Sequence, residues 1–312
     1  MAQANNSQQD IPLASLRTKL VFQARLARRS ARRFIQASRY GYQVLSNAPV
    51  LFANSFPKSG THLLTQVLQG FTRIGPAVDS SLPAIVTFDG FTGRQRSQSE
   101  ILDDLGRLLP GDIAYGHLHA TPVLVETLCH DGMAAYFILR DPRDVAVSHV
   151  HYVAEMAPKH IHHHYYQEVL RTFEERLSAS ICGVSERELE AASGKPAYEP
   201  LPDIRGRFEP YLDWLAHPEV QPLRYEDFVT QREKTVERVF DHAVQRGFAA
   251  RCSKEQAIEA LLAGIDPQRS PTFRSGLTGG WRKVFSEAHK AAFKEVSGDL
   301  LIRLGYEDHD SW

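Results

Sequence analysis

Short apolar runs alternate along the chain with longer stretches in which apolar residues recur every three or four positions. Runs of the first kind predict buried β-strands, and stretches of the second kind predict helices with one apolar face. Their alternation indicates an α/β fold in which a mostly parallel sheet is covered by helices on both faces. The segments typical of buried strands are residues 49–56, 113–117, 135–139 and 220–225.

Helical spacing is clearest in THLLTQVLQGF, directly after the first of these strands. Residues 155–205 are mostly polar and irregular, and residues 268–283 are rich in Gly, Ser and Arg, which is typical of a long loop. Further helices are predicted from Asp144 to Val153, near 165–180, at 208–215, over 231–247 and 254–264, and from Ser286 to Leu304.

Composition narrows the class of protein. The 312 residues are 43% hydrophobic and carry a formal net charge of −1, which argues against a nucleic-acid partner. Cys129, Cys182 and Cys252 lie far apart without a CxxC pair, which argues against a disulfide framework or a structural zinc site. No run approaches the roughly 18 apolar residues of a membrane-spanning helix, and the N-terminus lacks a signal-peptide pattern. We therefore expect a cytoplasmic protein.

Positive charge is concentrated at the N-terminus. Residues 1–45 contain eight basic residues and one acid, so they carry +7 while residues 46–312 carry −8. Apolar residues are interleaved with the arginines, which predicts a basic helix with a modest apolar face. We expect residues 1–45 to form a partly helical extension. Two interpretations stay open: a solvated helix packed on the main domain, or peripheral contact with an anionic membrane or partner.

The turn PKSGTH, between the first strand and the first helix, predicts an anion site. A helix N-terminus offers unpaired N–H groups and a partial positive charge. Gly60 lets the backbone approach an anion closely, Lys58 adds a full charge, and Ser59, Thr61 and His62 add donors. The alternative is an ordinary turn ahead of a helix. The lysine precedes the glycine, so the segment is not a Walker motif.

This turn and three later segments resemble the sulfotransferase family, which uses 3′-phosphoadenosine 5′-phosphosulfate (PAPS) as sulfuryl donor. NSFPKSGTHLL is similar to the family's 5′-phosphosulfate loop, YPKSGTTW. FILRDPRDVAVSHVHY is similar to its 3′-phosphate strand and helix, LRYEDF to its YEDL segment, and FRSGLTGGWRKVF to its RKGxxGDWKNxF loop. The resemblance implies that residues 46–312 form a sulfotransferase domain with a P-loop-like α/β fold.

The resemblance also implies which side chains hold the nucleotide. The sequence departs from the family pattern at several positions: His62 replaces a threonine, Leu63 a tryptophan, Tyr115 the lysine two residues before the base, Gly280 the aspartate of GDW, and Ser275 the lysine of RKG. The loss of the lysine removes one charge at the 3′-phosphate, whereas Arg274 keeps a planar group that suits phosphate. The implied nucleotide-binding residues are Lys58, Ser59, Gly60, Thr61, His62, Arg140, Ser148, Tyr225, Arg274, Ser275 and Gly276.

A catalytic pair follows from the same resemblance. The family's base is a histidine just after the second strand, and YGHLHATP has His117 there, with His119 as the alternative. Histidine suits proton abstraction near neutral pH. We expect His117 to take the proton of an acceptor hydroxyl, or less favourably an amine, while Lys58 stabilises the departing phosphate of 3′-phosphoadenosine 5′-phosphate (PAP). This scheme requires no metal.

Other functions remain as alternatives. A non-catalytic protein that binds PAP or PAPS and scaffolds partners would be consistent with the departures at Ser275 and Gly280. A nucleotide kinase would need a Walker lysine and a magnesium-binding aspartate, and neither is evident. The histidines of HIHHH, residues 160–164, fit a solvated or acceptor-pocket segment better than a metal site. The acceptor can be a small molecule, a carbohydrate or a lipid, and the oligomeric state is open.

Overall fold

The computed structural model of the protein describes residues 13–90, 92–193, 199–270 and 276–312. Its strands are β1 (Val50–Ser55), β2 (Val78–Asp79), β3 (Ile85–Val86), β4 (Asp112–His117), β5 (Met133–Leu139) and β6 (Val220–Arg224). Its α-helices are α1 (Leu13–Tyr40), α2 (Tyr42–Ser46), α3 (Thr61–Ile74), α4 (Gln98–Leu105), α5 (Pro122–Cys129), α6 (Pro142–His151), α7 (Phe173–Cys182), α8 (Glu186–Ser193), α9 (Ile204–Phe208), α10 (Tyr225–Thr230), α11 (Arg232–Gln245), α12 (Lys254–Leu262), α13 (Glu287–Ser297) and α14 (Leu300–Arg303).

Short turns of other helical types fill several connections. A π-helical turn continues α6 without a break, and a second one precedes α7. The π-helical turns are Tyr152–Met156 and Tyr165–Val169, and the 3₁₀ turns are Glu209–Ala216, Pro267–Arg269 and Gly280–Lys283.

The named strands form one sheet in which each strand pair is parallel. The strand order is β2-β4-β1-β5-β6, and β3 pairs with the end of β4. Asn54 of β1 lies opposite Gly116 of β4, and Ser55 lies opposite Ile138 of β5. The carboxyl ends of the three central strands therefore reach the same edge of the sheet.

Alternate side chains of the central strands enter two hydrophobic cores. Phe52 and Phe137 belong to one core, to which α6, α7 and α13 also contribute. Leu51 and Tyr136 belong to the other core, to which α3, α11 and α12 contribute. All four side chains are buried. Because both faces of the sheet are covered, the central strands are apolar at nearly every position, which is the pattern seen in the sequence.

The strands predicted from the sequence are confirmed by β1, β4, β5 and β6. The pattern misses β2 and β3, which have two residues each. The helix predicted from Ser286 to Leu304 is instead divided into α13 and α14, because Gly298 has a left-handed φ of 54°. The helix predicted at 208–215 is a 3₁₀ turn.

Helix α1 is joined to the edge of the sheet by arginine side chains. Arg29 is buried, and its guanidinium donates to both carboxylate oxygens of Asp112, at 3.3 Å from Nε to Oδ1 and more closely from Nη2 to Oδ2. Arg33 Nη1 lies 3.1 Å from Oδ1 of the same carboxylate. Arg25 and Arg32 donate to backbone and side-chain oxygens of Ser81. The charged face of α1 therefore points toward the domain.

We expect Asp112→Ala to lower the free energy of unfolding by about 3–5 kcal/mol, because it leaves Arg29 buried without its counter-charge. Urea denaturation followed by circular dichroism measures this loss. Asp241→Ala is the matched control, since Asp241 forms an exposed ion pair with Lys254 and exposed pairs contribute little. Equal losses in the two variants would contradict a supporting role for the buried pair.

Candidate nucleotide and catalytic site

The turn after β1 forms a tight cradle at the carboxyl edge of the sheet. Lys58 has a φ of 68° and Gly60 a φ of 97°, both in the left-handed region. For a lysine this conformation is strained, and such strain is concentrated at functional sites. Ser59 is buried, and its Oγ has no hydrogen-bond partner among the residues that the structure describes. Helix α3 begins at Thr61, so its unpaired N–H groups lie at the cradle.

Tyr225 connects this turn to Arg140. A Cβ atom on Gly60 would lie 2.7 Å from Cδ2 of the Tyr225 ring, so the close approach as well as the φ requires glycine. The guanidinium carbon of Arg140 lies 4.6 Å from the centroid of the same ring, within the range of a cation–π contact. Residues predicted to hold the two phosphate ends of the nucleotide thus both lie against one aromatic ring.

Arg140 follows β5 and is held by the loop ahead of the last 3₁₀ turn. Its Nη2 donates to the Leu277 carbonyl at 2.8 Å and lies 3.4 Å from Asp144 Oδ2. Asp144 also accepts from the backbone N–H groups of Gly279 at 2.7 Å and Trp281 at 2.9 Å. The Nε atom of Arg140 is buried without a partner in the described part of the chain. A polar atom in this state favours a bound acceptor.

Two of the predicted nucleotide ligands, Arg274 and Ser275, lie outside the described residues. Gly276, directly after them, has a left-handed φ of 65°. Ser148 lies on α6 with a partly exposed side chain. Helix α6 begins at Pro142, earlier than the predicted start at Asp144, because the Asp141 side chain accepts from the Arg143 N–H and caps the helix.

His117 ends β4 and points toward the cradle. Its Nδ1 lies 3.0 Å from the Ser55 carbonyl oxygen and 3.0 Å from Ser55 Oγ. A carbonyl oxygen only accepts, so Nδ1 carries the proton and Nε2 keeps its lone pair. Ser55 Oγ is also 2.8 Å from Thr61 Oγ1, at the start of α3. Burial lowers the pKa of His117, and His62 and Lys58 lower it further, against a raising effect of the Ser55 carbonyl.

Lys58 and His62 share this electrostatic environment. Burial, followed by the charge of Lys58, lowers the pKa of His62, so this imidazole stays neutral near pH 7. The Lys58 ammonium lies 4.1 Å from the centroid of the Tyr152 ring. The π-helical turn after α6 thus places the Tyr152 ring against Lys58. The resemblance implies that this lysine is catalytic.

His119 lies in an aromatic cluster instead of the hydrogen-bonded network. Its ring centroid is 5.5 Å from that of Phe88 and 4.8 Å from that of Tyr211. Burial lowers its pKa to about 4. Phe88 is 44% exposed, so this cluster of rings reaches the protein surface two residues after His117 in the chain.

Two of the four histidines at 160–164 bond to backbone carbonyls. His162 Nε2 donates to the Glu199 carbonyl at 2.7 Å, and His163 Nδ1 donates to the Val153 carbonyl at 2.6 Å. Among the described residues, three side chains with closely spaced metal-ligand atoms occur elsewhere: Cys129, His217 and Glu219, whose atoms lie within 4.8 Å of one another. Arg246 binds the carbonyl of Cys129, and this nearby positive charge disfavours a cation there.

Ser55 and Asp144 are parts of the site that were not predicted from the sequence. Both stand inside the quoted motifs, Ser55 at the last position of β1 and Asp144 in the first turn of α6. A hydroxyl at the end of an otherwise apolar strand is the signal that could have identified Ser55. The importance of Asp144 depends on contacts with residues 279 and 281, which no local pattern reveals.

Comparison with known proteins identifies the family of this chain. The family model "Sulfotransferase domain" matches residues 113–305, which is more than half of the chain. The chain belongs to the sulfotransferase family. This confirms the predicted family, enzyme class and fold of the new sulfotransferase. A sequence search of curated proteins found no match.

Similar solved structures include three sulfotransferase-fold complexes. Retinol dehydratase with androsterone and inactive cofactor PAP is 18% identical, with a TM-score of 0.53 over 82% of this chain and 83% of that chain. Retinol dehydratase with retinol and PAP is 17% identical, with a TM-score of 0.52 over 82% and 83%. Mouse sulfotransferase SULT7A1 with PAP is 18% identical, with a TM-score of 0.50 over 88% and 91%.

Ser55→Ala is expected to lower turnover by up to about tenfold, the equivalent of one hydrogen bond, because His117 loses its contact with the hydroxyl. The Ser55 carbonyl still holds Nδ1, so a total loss of activity is not expected. Steady-state kinetics at saturating nucleotide measures the effect. Ser185→Ala is the control, since Ser185 Oγ bonds an exposed glutamate, Glu188, remote in sequence from these motifs. Unchanged turnover in Ser55→Ala would contradict the positioning role.

Proposed function

We propose that this sulfotransferase moves the sulfuryl group of PAPS to a hydroxyl of a small-molecule acceptor and releases PAP. The observation that carries the proposal is the convergence of three groups at one sheet edge: the cradle at Lys58, the oriented His117, and Arg140. The PAP held by the similar solved structures supports this choice of nucleotide. PAPS, when bound, supplies the activated sulfuryl group.

The residues of the chain fit a nucleotide with two anionic ends. At the cradle, the amides at the start of α3, the buried Ser59 Oγ and the Thr61 hydroxyl offer donors to one phosphate. The charge of Lys58 and the neutral donor His62 complete this end. At the other end, Nε of Arg140, which has no partner among the described residues, would bind the 3′-phosphate. Ser148 and Gly276, with Arg274 and Ser275, remain proposed ligands there, and Tyr225 a proposed neighbour of the adenine.

His117 is the proposed general base. With Nδ1 donating to Ser55, the lone pair on Nε2 can accept the proton of the acceptor hydroxyl. The acceptor oxygen then forms a bond to sulfur, the bond from sulfur to the bridging phosphate oxygen breaks, and the proton remains on Nε2. Lys58 neutralises the negative charge that develops on the departing phosphate. His119 is disfavoured as the base, because aromatic rings surround it.

The cluster of rings formed by Phe88, His119 and Tyr211, in which His119 comes two residues after His117 in the chain, supports an acceptor whose hydroxyl is attached to an apolar body. The similar structures with retinol and androsterone support this class over carbohydrate. A scaffold that only binds PAP or PAPS is the alternative function. The neutral, oriented base speaks for the enzyme, because a scaffold would have no use for a lone pair at Nε2.

PAP binding tests the nucleotide assignment. Calorimetric titration in EDTA should show tight binding of PAP and weak binding of ATP. Arg140→Ala should weaken PAP binding by at least about tenfold, since it removes a charge-assisted hydrogen bond worth about 1.5–3 kcal/mol. Arg238→Ala is the matched control, because Arg238 pairs with Asp227 at the surface. The absence of PAP binding to the folded parent protein would contradict the proposal.

The pH profile tests the base. Proton abstraction requires neutral His117, so kcat/KM should rise with pH through the pKa of this group. Because burial lowers that pKa, the midpoint of the rise should lie below the ordinary value of 6.5. His117→Ala should lower turnover by about 10²–10⁴-fold while PAP still binds. Near-normal turnover in His117→Ala would exclude His117 as the base. If the parent protein binds PAP but does not turn over hydroxylated apolar compounds, the scaffold function is favoured.

A further inference from the structure

Helix α1 presents its apolar residues to solvent. An amphipathic helix on a globular domain normally buries its apolar face. Here four of the arginines face the domain, and the exposed side carries large hydrophobic residues. The exposed fractions are 66% for Leu20, 48% for Val21, 75% for Phe34 and 60% for Ile35, with 77% for Tyr42 at the start of α2.

These residues form a continuous stripe along the helix. Leu20, Ala24, Ala27, Ala31 and Phe34 recur at intervals of four and three, which places them on one side. All five are exposed. We call this stripe, with Val21, Ile35 and Tyr42, the outer face of α1.

Only basic charges accompany the outer face. Arg28 and Arg39 are exposed beside it, and the described helix contains no Asp or Glu. By contrast, Arg25, Arg29, Arg32 and Arg33 are engaged with oxygens of Ser81, Asp79, Pro110 and Asp112. Lys19 is exposed on the other side of the stripe, so the attraction that the outer face exerts on a partner comes from these three basic residues, and most of its contact area is apolar.

We propose that the outer face of α1 docks on an anionic lipid bilayer. An apolar stripe flanked by arginines is the pattern of a helix that lies in the interface plane, with hydrophobic side chains among the acyl chains and arginines at the lipid phosphates. No helix of the described chain is long and apolar enough to cross a bilayer, so α1 rests on the surface. On α1 the outer face runs from Leu20 to Ile35, which gives a contact about 24 Å long.

Charge complementarity favours lipid over a second copy of the chain. Two outer faces packed together would bring arginines near arginines, with no acid on either helix to pair them. Anionic headgroups supply the missing negative charge. Each basic residue near such a surface strengthens binding by about fivefold.

Vesicle sedimentation of the full chain tests the proposal. The protein should pellet with vesicles of phosphatidylcholine and phosphatidylglycerol, and much less with phosphatidylcholine alone. The double variant Phe34→Ser, Ile35→Ser should bind the anionic vesicles at least about tenfold more weakly, since two large side chains no longer enter the apolar layer. Arg28→Gln, Arg39→Gln should weaken binding to the anionic vesicles only.

A matched double variant controls for the loss of exposed hydrophobic residues. Val244→Ser, Ile302→Ser removes side chains that are 43% and 44% exposed on α11 and α14, and it should bind vesicles like the parent. Circular dichroism and urea denaturation check that each variant is folded. If the serine variant does not fold, a blue shift of Phe34→Trp fluorescence with vesicles, beyond that of the parent protein, provides the same test.

Two results would overturn the proposal. In the first, the parent protein and the Phe34→Ser, Ile35→Ser variant bind anionic vesicles equally well, or neither binds them. The other is a dimer seen by light scattering without lipid that this variant abolishes, which would assign the outer face to a second copy of the chain.

Discussion

The chemistry of the site depends on the parallel pairing of β1 between β4 and β5. Because the three strands end at the same level, the turn after β1, His117 and Arg140 emerge side by side at one edge. The same register divides the side chains of β1 between two hydrophobic cores. A slip of one residue would exchange Phe52 and Leu51 between those cores and turn Ser55 away from His117. Packing of the apolar cores therefore fixes the proton on Nδ1 of the proposed base.

The two arginines of RDPRD illustrate how the structure separates binding from support. Arg143 is fully buried, pairs with Asp141 and Glu307, and lies over the rings of both Trp281 and Trp312, with its guanidinium carbon at 4.0 and 4.5 Å from the centroids. Its hydrogen-bonding capacity is used within the protein. Arg140 keeps a buried Nε without a partner in the described residues. The sequence gives both the same charge, and only their surroundings distinguish a structural cation from one suited to phosphate.

Much of the fold was predictable, because the central strands are buried on both faces and leave uninterrupted apolar runs. The two-residue strands β2 and β3 are too short to leave such a pattern. The phosphate turn and His117 were also predictable, since a strand, a turn with glycine and a helix start are local features. The roles of Ser55 and Asp144 were not, because each depends on residues more than 60 positions away in the chain. The assignment of each proposed ligand and of the base remains a prediction.

Helix α1 shows why charge counted along a sequence does not describe the charge that a surface presents. The sequence of residues 1–45 predicts a strongly basic segment with a modest apolar face, and hydrophobic burial alone would turn that face inward. The reverse arrangement arises because the edge of the sheet offers carboxylates, with Asp112 fully buried and Asp79 beside Arg32. Once such an acid is buried, it requires a cation at close range. The arginines that pair with these acids are therefore directed away from the surface. The hydrophobic residues on the opposite side of the helix are exposed.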